Sequence, residues 1–212
     1  TAVEYLAKGE TKVETFTITL DDGQGGTVDR TISVTVTGTN DVPVVATSDI
    51  VGAVTGPVTA RGAIADNGSI TFSDVDLRDT HSIKPLITAS QGALGTLTAS
   101  VTTQANDSTG TGGVITWNYS VAATAVEYLA KGETKVETFT ITLDDGQGGT
   151  VDRTISVTIT GTNDVPTGHY VLVGKNKASE RIEVLSSTLD VDGVDGEIIY
   201  DWYSGNNLLK SS

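Results

Sequence analysis

The sequence holds no cysteine, so neither a disulfide framework, nor thiolate chemistry, nor a cysteine zinc site is open to it. Basic residues are scarce: 13 Lys and Arg stand against 27 Asp and Glu, for a net charge of −14. Nucleic acids and anionic membranes both select basic patches, which argues against them as partners and leaves cations as the natural ones. Aromatics make up only 5% of the chain, beside 24 glycines and 37% hydrophobic residues. That composition suits thin, Thr- and Val-rich β-sandwiches better than an enzyme with a deep pocket. No apolar run approaches the ~20 residues that span a bilayer, and the first residues show no signal peptide, so no membrane insertion is expected. No serine stands in a nucleophile-elbow context and the glycine-rich loops lack a phosphate-loop lysine. His81 and His169 are solitary, without metal-ligand spacing, and read as surface or packing residues. No enzyme is expected.

What is present is a duplication. Residues 1–43 recur as residues 124–166, an offset of 123, with 42 of 43 positions identical and Val36 replaced by Ile159. Within it, Phe16, Ile18 and Leu20 alternate with threonines, and Ile32, Val34 and Val36 alternate with Thr31, Ser33, Thr35 and Thr37. This period of two in β-branched residues marks strands with one buried and one wet face. The DDGQGG between them supplies glycines for a tight reversal, so the pair reads as a hairpin. Pro43 cannot donate to a ladder and ends it.

The chain divides into residues 1–43, the closing strands of a truncated repeat; residues 44–166, one complete repeat; and residues 167–212, the early part of a divergent third module. The opening strands cannot bury their apolar face alone, and since the chain begins inside a repeat, it is expected to be a piece of something longer, with any export signal elsewhere. In the complete repeat the strands read as A, residues 44–54; B, 69–73; C, 82–88; D, 95–102; E, 114–121; F, 138–143; and G, 150–160. Ile115, Trp117, Tyr119 and Val121 share one parity and should face inward, whereas ADNGS (residues 65–69) and NDSTGTGG (106–113) read as turns. The third module shows an alternating ERIEVL (residues 180–185), an acidic DVDGVDGE (190–197) and an aromatic strand IIYDWY (198–203). Seven short strands per complete repeat predict an all-β fold, a tandem Greek-key β-sandwich of cadherin or immunoglobulin type.

In such a sandwich the loops alternate between the two ends. The start of A, the BC loop and the FG loop share the end that receives the linker, so SDVDLRD (residues 73–79) and the second DDG (144–146) should meet there, beneath Asn40 and Asp41 and the preceding Glu10. Calcium takes six to eight hard oxygen ligands from carboxylates, amide carbonyls and backbone. Glu10, Asn40, Asp41, Asp74, Asp76, Asp79, Asp144 and Asp145 are the candidate ligands at the first junction. At the second junction they are Glu133, Asn163, Asp164, Asp190, Asp192 and Asp195. Asp21 and Asp22 occupy the same turn in the first copy and should not be filled as Asp144 and Asp145 are. Asp-Gly and Asn-Asp are also ordinary turn formers. DVDGVDGE misses the EF-hand spacing at Val194, and DGQGGTVD is not iterated as a β-roll would be. A competing function is a polysaccharide-binding module of a secreted protein, which needs two or more exposed aromatics on one face; Tyr5, Tyr128, Trp202 and Tyr203 are its candidates, with Trp117 read as core.

SDVDLRDTH (residues 73–81), EYLAKGETKVETFTITLDDGQGGT (127–150) and TISVTITGTNDVP (154–166) together resemble the VCBS repeat, the cadherin-like module of giant RTX adhesins of Gram-negative bacteria. The resemblance covers residues 1–43 and the central repeat; residues 167–212 look like a more divergent immunoglobulin-like repeat. It implies an extracellular, cell-surface stalk exported by type I secretion that holds an adhesive tip away from the cell and supports biofilm formation. Its partners would be neighbouring repeats of the same chain, with any surface polysaccharide or protein gripped by other domains. TNDVP also resembles the cadherin calcium linker, DVD the Asp-x-Asp of the next domain, and the Glu of GET the EF-loop glutamate, which implies Ca²⁺ at Asn40, Asp41, Asp74, Asp76 and Glu10. Thr39 stands near the place where cadherins carry a further acidic residue.

Overall fold

A computed structural model describes residues 3–57, 61–165, 167–173, 183–193, 201–204 and 206–211. The chain forms two compact units. One comprises Thr1–Ala53, Ala65–Ser120 and Val136–Thr158; the other comprises Val54–Ile64, Val121–Lys135 and Ile159–Ser212.

The first copy of the duplicated stretch folds as the hairpin β1 (Thr11–Asp21) and β2 (Thr27–Thr37), in unbroken antiparallel register from Thr11 opposite Thr37 to Asp21 opposite Thr27. The complete repeat then runs β3 (Val44–Val45), β4 (Val51–Thr55), β5 (Ala63–Ser73), β6 (Ser82–Ile83), β7 (Thr88–Ala89), β8 (Thr96–Thr103), β9 (Gly113–Ala122), β10 (Thr134–Asp144) and β11 (Thr150–Thr160). These make two sheets. One has the order β3-β5-β9-β8; the other has β4-β11-β10-β6, with β7 also paired to β10. In strand letters the first is ABED and the second sets C, F and G beside the second half of A, the arrangement of an immunoglobulin-type Greek-key sandwich. The fold is all-β, as the periodicity predicts.

Strand A departs from the single strand read in the sequence. Asp49 adopts a positive φ of 56°, so the chain turns between Val45 and Val51 and gives its two halves to different sheets. The Arg153 guanidinium donates to the carbonyls of Val45 and Ala46, where the strand breaks. Residues 65–69 are not a turn. They lie inside β5, where the Asp66 carboxylate accepts from Ala53 N at 2.8 Å and that of Asp49 accepts from Ser69 N, so side-chain oxygens stand in for ladder bonds. Strand C is two short bridges on either side of Pro85.

In the first unit the core is Ile70 and Phe72 from β5, Ile115, Trp117 and Tyr119 from β9, Phe139, Ile141 and Leu143 from β10, and Ile155 and Val157 from β11. The inward parity of β9 is as predicted. Each such side chain contributes about 1.5–3 kcal/mol on burial. Glu137 is buried beside them and fully engaged: it accepts from Tyr119 Oη at 2.9 Å, Leu94 N at 2.6 Å and Gly95 N at 3.1 Å. In the second unit Val54, Val121, Ala123, Val126, Leu129 and Ile159 are buried. There β12 (Thr167–Val173) pairs with β13 (Glu183–Leu189), and β14 (Asp201–Ser204) with β15 (Asn207–Ser211).

Candidate metal centre

Strand β5 runs out at Ser73 into a loop that folds back on itself. Asp74 N donates to Gly110 O at 2.8 Å, Asp76 N to Asp74 Oδ1 at 3.0 Å, and Asp79 N to Asp76 O at 3.1 Å. The turn inverts the usual order of burial. Val75 is 46% exposed, while Asp76 is fully buried and Asp74 and Asp79 nearly so. Burying carboxylates while a valine faces water costs free energy unless something compensates the charge.

The FG loop brings a fourth carboxylate. Asp145 is fully buried; its Oδ1 accepts from the amides of Gln147 at 2.7 Å, Gly148 at 3.0 Å and Gly149 at 3.0 Å. A Cβ on residue 149 would overlap this carboxylate, so glycine is required there for the amide to approach. The other oxygen, Oδ2, accepts from Asn40 Nδ2 at 2.9 Å, and Asp41 N donates to Asp76 Oδ2 at 2.7 Å. The linker that follows the first hairpin is thus tied to both acidic loops of the complete repeat.

One carboxylate oxygen each from Asp74, Asp79 and Asp145 lies within 4.8 Å of the others. Asn40 Oδ1, Asp76 Oδ1 and Asp79 Oδ2 are buried without a hydrogen-bond partner. Burial, then the charges of Asp76, Asp74 and Asp145, push the Asp79 carboxyl up to about 6. Burial also raises Asp76, with the charges of Asp74, Asp41 and Asp145 adding to it against the Asp41 amide. Asp145 goes the other way: burial opposes its ionisation, but Asn40 and the three loop amides outweigh it and hold the group below the ordinary range. Nearby cationic side chains are spent elsewhere, Arg78 on Glu10 at 2.8 Å and Lys84 on Asp144 at 3.4 Å. An all-oxygen donor set, partly orphaned and with only the His81 imidazole set against four buried carboxylates, fits a hard divalent cation; oxygens on one Ca²⁺ at 2.3–2.6 Å lie up to about 5 Å apart.

Of the eight ligands predicted here, Asn40, Asp74, Asp76, Asp79 and Asp145 converge, and Asp41 joins through its backbone. Asp144, the last residue of β10, accepts from Gly146 N at 2.7 Å and pairs with Lys84, so it stands apart from the cluster. Glu10 has both oxygens engaged, by Ala7 N at 3.2 Å and by Arg78. In the first copy, Asp22 makes two of the three turn bonds that Asp145 makes, accepting from Gln24 N at 2.8 Å and Gly26 N at 2.9 Å, but is exposed. Those amides lower it. Asp21 caps Gly23 N at 2.7 Å.

The second junction, within the second unit, repeats the linker pattern. Asp164 N donates to Asp192 Oδ2 at 3.2 Å as Asp41 N does to Asp76, and Asn163 Nδ2 donates to Asp164 O at 2.7 Å. Asp190 Oδ1 and Asp192 Oδ1 are buried without partners. A hydrogen bond between the two carboxyls raises Asp190 and lowers Asp192. Glu133 folds back on Ala130 N at 3.1 Å. Asp195 lies outside the described residues.

Residues to which motif reading gives no part in the site hold Asp74 in place. His81 is buried, packs on Phe72 with ring centroids 4.8 Å apart, and bonds Asp74 Oδ2 through Nε2 at 2.8 Å. Gln104 clamps His81 from behind, through its backbone amide at 2.8 Å and its ring. Burial opposes charging the imidazole, but the bond to Asp74 and its charge prevail and raise it. The seven-residue spacing from Asp74 to His81 was the one available signal, and it is not a ligand spacing.

Tyr5 and Tyr128 are exposed, at the same position in successive copies, and Lys12 lies over the Tyr5 ring at 5.9 Å. Trp117 is core; the side chains of Trp202, Tyr203 and His169 lie outside the described ones. Among the described residues no helix is long and apolar enough to cross a membrane.

No protein-family profile and no curated protein sequence matches the chain. Among solved structures it is similar to mouse clustered PcdhgC3 EC1-3, at 16% identity and a TM-score of 0.40, over 96% of this chain and 62% of that one. It is also similar to a protein of unknown function from Porphyromonas gingivalis W83, at 14% identity and a TM-score of 0.29, over 71% and 65%. The chain spans less than two thirds of the length of either. Its all-β sandwich architecture rests on the strand pairings described above.

Proposed function

We propose that this chain is a calcium-stiffened extender segment of a secreted, cell-surface bacterial adhesin, non-enzymatic, in which each inter-repeat linker is locked to the next repeat by bound Ca²⁺. The observation that carries the reading is the meeting of Asn40, Asp74, Asp76, Asp79 and Asp145, with three of their buried oxygens left without a donor. Asn40 reaches this cluster from the linker, Asp74, Asp76 and Asp79 from the BC loop, and Asp145 from the FG loop. These residues would hold the ion, and its charge would offset the mutual repulsion of the carboxylates.

The near-identical duplication supports a spacer, since added length multiplies reach whereas a catalytic site gains little from copying. The VCBS-like motifs support the surface of a Gram-negative bacterium, type I secretion and a contribution to biofilm. Extracellular modules bind Ca²⁺ at about 10⁻⁴–10⁻³ M, and at ten times the dissociation constant one site stabilises by roughly 1.4 kcal/mol. The test is thermal melting and small-angle scattering of the whole chain in Ca²⁺ and in chelator. The melting midpoint and the maximum dimension should both rise with Ca²⁺; an unchanged midpoint and dimension would count against the reading.

A further inference from the structure

The hairpin β1–β2 turns to solvent the face that its twin buries. Phe16 is 55% exposed where Phe139 is 2%, and Ile18, Leu20, Ile32 and Val34 are exposed where Ile141, Leu143, Ile155 and Val157 are buried. The hairpin is nonetheless formed: its register is complete, and Thr19 Oγ1 donates to Asp29 at 2.6 Å as Thr142 Oγ1 does to Asp152. An apolar face of this kind marks a docking surface. Here the second copy of the same sequence displays what covers it.

Three polar features of the hairpin match that cover. Arg153 holds the carbonyls of Val45 and Ala46, and Arg30 is its counterpart. Glu137 gathers Leu94 N, Gly95 N and Tyr119 Oη, and Glu14 is its counterpart on the exposed hairpin. Gly56 bonds Thr160 O at 2.8 Å and accepts from Thr162 Oγ1 at 2.9 Å; the equivalent Thr37 and Thr39 instead line a cavity of about 170 Å³ with Val3, Leu6 and Val36. The apolar face and both side-chain anchors are thus on the hairpin, and the seat equivalent to that of Gly56 and Pro57 lies at its foot, between Val36 and Thr37 and the flanking Val3, Leu6 and Thr39.

We infer that the hairpin Thr11–Thr37 is a preformed docking surface for a second copy of the strand set Val44–Ala122, which it would close into a sandwich as β10 and β11 close the one described. The occupant brings what the surface lacks: the apolar inner face of strands A, B, D and E, two strand-A carbonyls for Arg30, a tyrosine and two loop amides for Glu14, and a Gly-Pro pair for the cavity. Recognition is sheet completion along the free edge of β2 combined with face burial.

The test extends the full chain by fusing a second Val44–Ala122 segment ahead of Thr1 and follows amide hydrogen exchange. Exchange at Thr11–Thr37 is expected to slow at least ~100-fold, toward that of Thr134–Thr160. The pair Ile18→Asp and Ile32→Asp should abolish that protection while leaving Thr134–Thr160 unchanged, because both residues are exposed in the parent chain. Exchange at Thr11–Thr37 that stays at the parental rate, or protection that survives both aspartates, would overturn the inference. The readout is taken in chelator, so it stands or falls apart from calcium binding.

Discussion

Asn40 and Asp145, 105 residues apart in sequence, are joined by a hydrogen bond of 2.9 Å from Nδ2 to Oδ2, leaving Asn40 Oδ1 buried with no donor. The bond ties the linker to the FG loop, and the orphaned oxygen says what the linker still needs. Asp22 makes the same turn in the first copy without any such partner, which turns the duplication into an internal control.

Asp145→Asn should therefore remove the first junction's share of the gain in melting temperature on adding Ca²⁺, while Asp22→Asn leaves the gain intact. At 100 times the dissociation constant the lost increment would be about 2.7 kcal/mol per site. Differential scanning calorimetry of both variants in Ca²⁺ and chelator checks this; equal responses would show that the turn sequence, not the junction, controls it.

Asp79→Asn should act in opposite directions in the two states. Without Ca²⁺ it removes a buried charge held against Asp76, Asp74 and Asp145, so the midpoint should rise by roughly 2–4 °C, the shift about 1 kcal/mol gives a chain of this length. With Ca²⁺ the same change deletes a ligand and weakens binding. A variant that destabilises in chelator would contradict the electrostatic account.

The pH dependence follows with its sign. Asp79 is raised to about 6 and His81 above its usual value. Groups raised on folding bind more protons in the folded chain, so their stabilisation is full below the unfolded pKa values and is lost as pH rises through the folded ones. Asp145, lowered on folding, contributes the reverse, but only as pH falls below the ordinary carboxylate range. In chelator the midpoint should thus increase from pH 8 to pH 5. In Ca²⁺ it should decrease over the same window, because protons compete with the ion. Thermal melts at four pH values check for opposite slopes.

Glu137→Ala should cost about 3 kcal/mol, since it strands the Tyr119 hydroxyl and two loop amides in the core. Glu14→Ala, the same change in the exposed copy, should stay within about 0.5 kcal/mol. Urea unfolding of the two variants measures the difference.

The period-two runs made β1, β2, β9, β10 and β11 legible because one face of each is written in β-branched or aromatic residues. Strand A was less so: its division depends on Asp49 at positive φ and on Arg153 reaching from β11, neither of which periodicity encodes. Residues 65–69 look like a turn by composition, yet Asp66 and Asp49 use their carboxylates as ladder acceptors there. The site was legible as a set of loops sharing one end. Which member of DD faces inward was not, since β10 ends on Asp144 and it is the turn beyond, with its amides and Asn40, that holds Asp145. His81 reads as a surface or packing residue and does pack on Phe72, but its bond to Asp74 is not legible, because a positioning contact leaves no spacing motif.

The most direct measurement is calorimetric titration of Ca²⁺ into the chelator-stripped chain, beside the double variant Asp76→Asn, Asp145→Asn. Saturable binding with a dissociation constant on the order of 10⁻⁴–10⁻³ M, with the heat from the first junction lost in the variant, is the result predicted. No saturable heat up to about ten times that range, or identical isotherms for the two proteins, would contradict it.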